Sequence, residues 1–131
     1  SGGALAVSTN CTTMNIAVVG TTDADMAFAV RRLERSGGGF VAVRDGVVLA
    51  EVPLEVGGLM SAAPWEQTAD ALRTAEAAAR SLGCDVRAPY MVLSFVGMVV
   101  VPDFGVTERG FVDVVRQEFA PLVLQDAAGA A

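Results

Sequence analysis

Apolar positions along the chain fall into short runs and one-sided stripes with two different periods. Ala4 to Ser8 and Ile16 to Val19 are short apolar runs on either side of a polar stretch, Asn10 to Asn15. They read as two strands, the second continuous enough to expect cover on both faces, with Gly20 freeing the chain to turn. From Asp23 to Ser36 the spacing changes: Met26, Ala29, Val30 and Leu33 recur at i, i+3, i+4 and i+7, the stripe of an amphipathic helix. Thr22 and Asp25 make a capping-box-like start, with Asp23 and Asp25 at the positive helix end. Arg31, Arg32, Glu34 and Arg35 are expected mostly to face water. At about 100° per residue, Phe28 falls roughly opposite Met26, so it meets a second layer, belongs to an interface, or is a lone surface aromatic. Gly37-Gly38-Gly39 closes the helix and acts as a hinge; helix, glycines, strand is the wrong order for a dinucleotide fingerprint.

Phe40 to Arg44 and Val47 to Val52 predict a hairpin closed by Asp45-Gly46, a pair suited to a type I′ turn, and Pro53 ends its second strand. Glu55 to Ser61, containing Gly57, Gly58 and Met60, reads as a mobile connector or a lid, and with Phe28 as a candidate contact surface. Pro64 suits a first helical turn, and Trp65 to Leu82 predicts a long helix stopped by Gly83. Its stripe of Trp65, Ala69, Leu72 and Ala79 would lie close to a sheet, with Trp65 filling the wider end and Glu76 escaping sideways to Arg80. Met91 to Val101 predicts a central strand, or one bent at Gly97, with Val99 to Val101 deep in the core. After Pro102, a turn over Val106 to Gly110 leads to a short strand, Phe111 to Val115, and then to Gln117–Leu124. Ser1 to Gly3 and Asp126 to Ala131 read as flexible ends. These elements add up to an α+β fold, a single domain over residues 1–131 with a mixed β-sheet, two main helices packed on it and a β-hairpin.

Composition narrows the function classes. The 131 residues are 53% hydrophobic, enough for one core. The net charge is −6, and the nine cations, all arginine, are scattered. Both facts argue against nucleic-acid binding and against a polybasic membrane patch. The longest apolar run, Tyr90 to Val101, is shorter than the roughly 20 residues that a helical membrane span needs. Ser1 to Asn10 lacks the basic start and apolar segment of a signal peptide, so a cytoplasmic location is expected. There Cys11 and Cys84 would stay reduced. With no histidine and two thiols, the chain lacks the donors of a usual four-ligand zinc site.

The polar stretch is the main place for chemistry. Cys11 near a helix start would have a lowered pKa, yet the chain has no histidine to pair with it. Thr12 and Thr13 also lack a base, and Ser1 is a further N-terminal candidate. Against all of these stands a structural loop whose side chains satisfy their own backbone. Asn15, just before the second strand, is expected to hold a bond network together. Asp103, Glu108 and Asp113 surround the later turn, as a hard-cation site or as solvated carboxylates.

Taken in order, several pieces resemble the C-terminal region of bacterial adenine deaminase, in the amidohydrolase superfamily. They are Gly3 to Ala6, Asn15 to Gly20, Asp23 to Ala27, Arg32-Leu33, Gly37 to Gly39, Asp45-Gly46, Pro53-Leu54, Gly58 to Ser61, Pro64 and Leu82 to Cys84. Met91 to Phe95 is the strongest piece, followed by Val101-Pro102, Thr107, Gly110 to Val114 and Pro121-Leu122. The resemblance implies hydrolytic deamination of a purine in a preceding (β/α)₈ barrel, where histidine and carboxylate ligands hold a divalent metal. It implies an accessory domain or subunit with no catalytic residue, metal or cofactor of its own; the alternative is a stand-alone binding or scaffold protein. Implied partners are the metal-bearing barrel and, as an open alternative, a second copy of the chain. A His-Asp-Ser-His-Asn run typical of the family is replaced by Cys11-Thr12-Thr13-Met14-Asn15, so only Asn15 survives. Asn10, Cys11, Thr12, Thr13, Met14 and Asn15 are therefore a candidate substrate-proximal or interface loop without an imidazole's proton transfer.

Overall fold

The computed structural model describes residues 2–10, 13, 15–101 and 103–122. Four strands, β1 (Ala4–Val7), β2 (Ala17–Gly20), β3 (Gly39–Arg44) and β4 (Val47–Pro53), form one antiparallel sheet in the order β2-β1-β3-β4. Helix α1 (Asp23–Ser36) covers one face, and α2 (Trp65–Ser81) with the short α3 (Pro89–Phe95) covers the other. A second antiparallel sheet, β5 (Phe104–Thr107), β6 (Gly110–Asp113) and β7 (Glu118–Ala120), completes the α+β domain. Every strand pairing is antiparallel, so the expected mixed sheet is two antiparallel ones.

The strand alternation builds two cores. Ala4, Ala6, Val41 and Val43 point to α1 and meet Ala29 and Leu33. Leu5, Val7, Ala42, Ala50 and Val52 point the other way and meet Ala75, Ala79 and Tyr90. This period of two, buried on both sides, is what places β1 and β3 at the centre. Strand β2, expected to be covered on both faces, is instead an edge strand: among the described residues it pairs only with β1, and Val19 and Ile16 are exposed.

Local signals set α1 and the hairpin. The Thr22 hydroxyl accepts from the Asp25 N–H at 3.2 Å, and Gly37 ends the helix in the left-handed conformation. The capping box is not reciprocal, because the Asp25 carboxylate turns to the hairpin and accepts from the N–H groups of Asp45 and Gly46, at 3.3 and 2.9 Å. Asp45 and Gly46 have φ of 51° and 72°, the double left-handed conformation of a type I′ turn. Arg32, expected to face water, instead pairs with Glu51 of β4 at 2.6 Å.

Two apolar elements differ from expectation. Trp65 is 75% exposed. The buried stripe of α2 runs through Ala71, Leu72, Ala75, Ala78 and Ala79, and at 3.6 residues per turn Trp65 lies roughly 80° from its centre. Glu76 is half-buried, and no Glu76–Arg80 ion pair occurs among the described residues. The run from Met91, read as a central strand, is helical: Pro89 starts α3, and Tyr90, Leu93 and Ser94 turn inward at i, i+3 and i+4. Beyond it the chain turns, so Val99 and Val101 are half-buried and Val100 is exposed rather than deep. Phe119 and Leu122 are exposed too, while the expected loose tail lies outside the described residues.

Candidate functional site

The polar loop joins β1 to β2 and is held from three sides. At its start, the Ser8 hydroxyl donates to the Gly58 carbonyl at 2.6 Å and accepts from the Gly39 N–H at 2.7 Å. Next, the Thr9 hydroxyl bonds to that of Ser94, and Ser94 donates to the Tyr90 carbonyl at 2.8 Å, so Thr9 is the donor of the pair. At its end, the Asn15 Nδ2 donates to Glu108 Oε2 at 3.1 Å, a bond across 93 residues of sequence to the β5–β6 turn. Asn15, expected to hold a network, makes this one side-chain bond among the described residues, to a carboxylate at the second sheet. The Glu108 carboxyl is held below its ordinary pKa, by its own backbone N–H first and then by Asn15, with nearby Arg109 adding to the effect.

Asn10 is 1% exposed, and among the described residues neither its Oδ1 nor the buried Thr13 Oγ1 has a hydrogen-bond partner. Gly97, just past α3, lies so close to Asn10 that a Cβ there would stand 2.1 Å from Nδ2. Between the loop, the end of α3 and the β5–β6 turn opens a cleft of about 430 Å³. Its walls are Ile16, Leu93, Val96 and Val106, and Asn10, Asn15, Thr107 and Glu108 supply its polar groups. On the other side of Thr107 and Glu108 a second cleft, about 420 Å³, runs along Val112 and Phe119, and the Arg109 guanidinium stands 5.9 Å from the Phe119 ring centre.

Of the expected loop residues, Asn10, Thr13 and Asn15 come together at these clefts, while Cys11, Thr12 and Met14 lie outside the described residues, as does Ser1. Among the described residues no base bonds to the Thr13 hydroxyl. Cys84 is a free, half-buried thiol. The carboxylates of Asp103, Glu108 and Asp113 do not form a cation site: among the described residues no three His, Cys, Asp or Glu side chains converge. Asp113 instead faces Arg116 at 3.6 Å. With no histidine and two cysteines, the chain lacks the donors of a usual four-ligand zinc site.

The expected contact residues are dispersed. Phe28 is half-buried against the α1-side core. In the connector, Gly57 is exposed, Gly58 is buried under Ser8, and Met60 is exposed and bridges to Val56. The Ala62 N–H donates to Glu55 Oε2 at 3.1 Å. The connector is therefore a pinned turn in this structure. The roles of Ser8 and Ser94, the approach of Gly97 to Asn10 and the pairing of Glu108 with Asn15 were not expected from sequence; each depends on a contact between distant segments, for which one sequence carries no local signal.

The sequence profile of the adenine deaminase C-terminal domain matches residues 1–118. The chain belongs to the adenine deaminase C-terminal domain family. It is 49% identical over 117 residues to an adenine deaminase of Gluconobacter oxydans, covering 89% of this chain and 21% of that protein. An adenine deaminase of Brucella anthropi is 47% identical with the same two coverages, and one of Desulforamulus reducens is 42% identical over 123 residues, 94% of this chain and 21% of that protein. The chain thus spans about a fifth of the length of the relatives it matches. The cleft residues Asn15 and Thr107 fall within the pieces that carry the resemblance. Among the described residues, no helix is long and apolar enough to cross a membrane.

Proposed function

We propose that this chain is the C-terminal accessory domain or subunit of an adenine-deaminase-like hydrolase in purine metabolism, and that it is not catalytic alone. The observation that carries this reading is the family match over residues 1–118, to relatives of which the chain spans about a fifth. In this reading, water activation belongs to a metal-bearing barrel of the larger enzyme.

The surface supplies a place to dock. Met91, Val92 and Phe95 stand exposed on α3, and Ile16, Val96 and Val106 extend that apolar character to the mouth of the polar cleft. An apolar face of this kind, next to polar groups, is a common mark of a protein contact. The loop would then sit at the edge of the barrel's substrate site, in a cytoplasmic enzyme.

Mass spectrometry of the natural product tests this directly. A parent polypeptide containing the barrel, or a co-purifying barrel subunit, is expected; a free chain of this length with no partner would refute it in favour of a stand-alone binding protein. The purified 131-residue chain is expected not to deaminate adenine, with or without added Mn²⁺, Fe²⁺ or Zn²⁺, and turnover by it would equally overturn the reading.

A further inference from the structure

We infer that the outer edge of β2 is a self-association surface: two copies of this chain pair their β2 strands antiparallel about a two-fold axis at Val18, joining their four-stranded sheets into one continuous sheet. Every group this uses lies on this chain, so it goes beyond the accessory role and does not rest on it.

The first observation is an open hydrogen-bonding edge. The Thr21 N–H donates to the Gly3 carbonyl at 2.9 Å, and the register sets Leu5 opposite Val19 and Val7 opposite Ala17. Every second residue of an antiparallel strand bonds to a given neighbour, so Ala17 and Val19 bond to β1 while Ile16, Val18 and Gly20 turn their N–H and C=O groups outward. Among the described residues no strand takes these groups up. Soluble proteins blunt such edges with charge, proline or a bulge. The opposite edge of the sheet is treated that way: β4 is bulged opposite Ala42 and Val43 and ends in Pro53. From Asn15 to Thr22, by contrast, there is neither a charged residue nor a proline, and Ile16 and Val19 are exposed. Each copy carries a net charge of −6, so an uncharged strand is where two copies can meet without setting like charges opposite each other.

The second observation is the shape beneath the strand. Helix α3 contacts β1 and β2 and lies under the Asn15 half of β2, with Leu93 and Val96 towards Asn15 to Val18. Under the Gly20 half there is instead a cleft of about 270 Å³, walled by Leu5, Val19, Leu82 and Cys84. Antiparallel pairing about Val18 sets the Asn15 half of one copy beside the Gly20 half of the other, so each α3 comes to lie next to the other copy's cleft. With strands roughly 4.8 Å apart, a helix under β1 and β2 stands about 5 Å to the side of the axis, and the two helices about 10 Å apart across it, an ordinary packing separation. Val92 and Val96, exposed at i and i+4 on α3, are the side chains that reach the cleft, while Met91 and Phe95 form the adjoining stripe and stay open to another domain. Covering Ile16, Val19, Val92 and Val96, each about half-exposed, with the strand backbone buries roughly 500 Å² per copy and about 1,000 Å² in all, the lower limit of a specific interface. The dimer is therefore weak, with a dissociation constant on the order of 10 µM.

Sedimentation equilibrium of the 131-residue chain, from about 1 to about 200 µM, tests this and should fit a monomer–dimer equilibrium. Amide hydrogen exchange should slow with rising concentration at Ile16, Val18 and Gly20, whose N–H groups point outward, and stay unchanged at Ala17 and Val19, which bond to β1 at every concentration. Val19→Lys, on an exposed side chain, should weaken association at least about tenfold, because it sets two ammonium groups near the axis, with the urea midpoint unchanged. Mixing Val19→Lys chains with Val19→Glu chains should restore association, since the opposite charges then lie within reach of each other across the axis. A monomer at every concentration, association indifferent to Val19→Lys, or concentration-dependent protection confined to Trp65 and the connector would each overturn the proposal. Species larger than a dimer would overturn the two-fold pairing in favour of open-ended edge contacts. No readout here involves a barrel, whereas the accessory role is judged by whether one accompanies the natural product, so the two stand or fall separately.

Discussion

Ser8→Ala should weaken the fold and open the connector together. Only Oγ is lost, but it serves two chain segments: it donates to the Gly58 carbonyl at 2.6 Å and accepts from the Gly39 N–H at 2.7 Å. Both glycines are buried, so water cannot readily replace the hydroxyl. A buried group left without its partner costs about 1–3 kcal/mol, and an N–H is the harder of the two to leave unpaired, so the pair should cost about 2–3 kcal/mol. That is a sizeable part of the 5–15 kcal/mol typical of a whole domain. Urea unfolding should show a lower midpoint at unchanged slope, which separates a stability change from a change in exposed surface. Amide hydrogen exchange should speed up at Leu59 and Met60, whose N–H groups close the turn on the Val56 carbonyl at 3.2 Å each. A loss below about 0.5 kcal/mol, the scale of a neutral surface change, with unaltered exchange at Leu59 and Met60, would refute the latch.

Other substitutions separate buried from exposed contributions. Leu33→Ala, at a side chain 1% exposed between α1 and the sheet, should cost about 3 kcal/mol in urea unfolding, whereas Trp65→Ala should stay within about 0.5 kcal/mol despite the larger side chain removed. Asp25→Ala removes the acceptor of two hairpin N–H groups and should cost about 1–3 kcal/mol, with exchange accelerated at Asp45 and Gly46; unchanged exchange there would rule out the link from α1 to the hairpin. Tyr90, the single tyrosine, is held well above its ordinary pKa by burial first, then by Cys84 and Glu76. Because the folded value is raised, the stability is fully present below the unfolded value near 10 and is lost as pH rises beyond it. Ultraviolet titration should therefore show tyrosinate appearing together with unfolding, and ionisation near pH 10 in a still-folded chain would contradict this burial.

Legibility in the sequence followed the range of the contacts involved. Helix α1 and the β3–β4 hairpin were readable because Thr22, Gly37 and the Asp45-Gly46 pair act within a few residues of themselves. The Met91 run was misread because apolar density hides its period. Tyr90, Leu93 and Ser94 carry the helical spacing, but Met91, Val92 and Phe95 fill the outward positions with apolar groups that the chain leaves exposed. The same density made β2 look central, when its place at the sheet edge depends on which strand reaches β1 from the other side. Trp65 followed the same rule: helix periodicity defined a stripe, and only the packed partner decided that the stripe is centred on the alanines. In the site, Asn15 was expected to hold a network, while Glu108 at its far end and the buried Asn10 acquire their roles only through the tertiary fold.

The loop's anchors also explain how a chain of this family tolerates a changed loop. Ser8 and Thr9 fix its entry to the connector and α3, Asn10 packs under Gly97, and Asn15 fixes its exit to Glu108. All four flank positions 11–14, where the resemblance implies a His-Asp-Ser-His run in the family, and the described contacts use no side chain from within that stretch. Exchanging Cys11 to Met14 for the family's His-Asp-Ser-His run should therefore leave the urea midpoint within about 0.5 kcal/mol of the parent, since these anchors persist. A loss of several kcal/mol would mean that the present residues at 11–14 hold the fold, and that their divergence is structural rather than a change in the loop's share of catalysis.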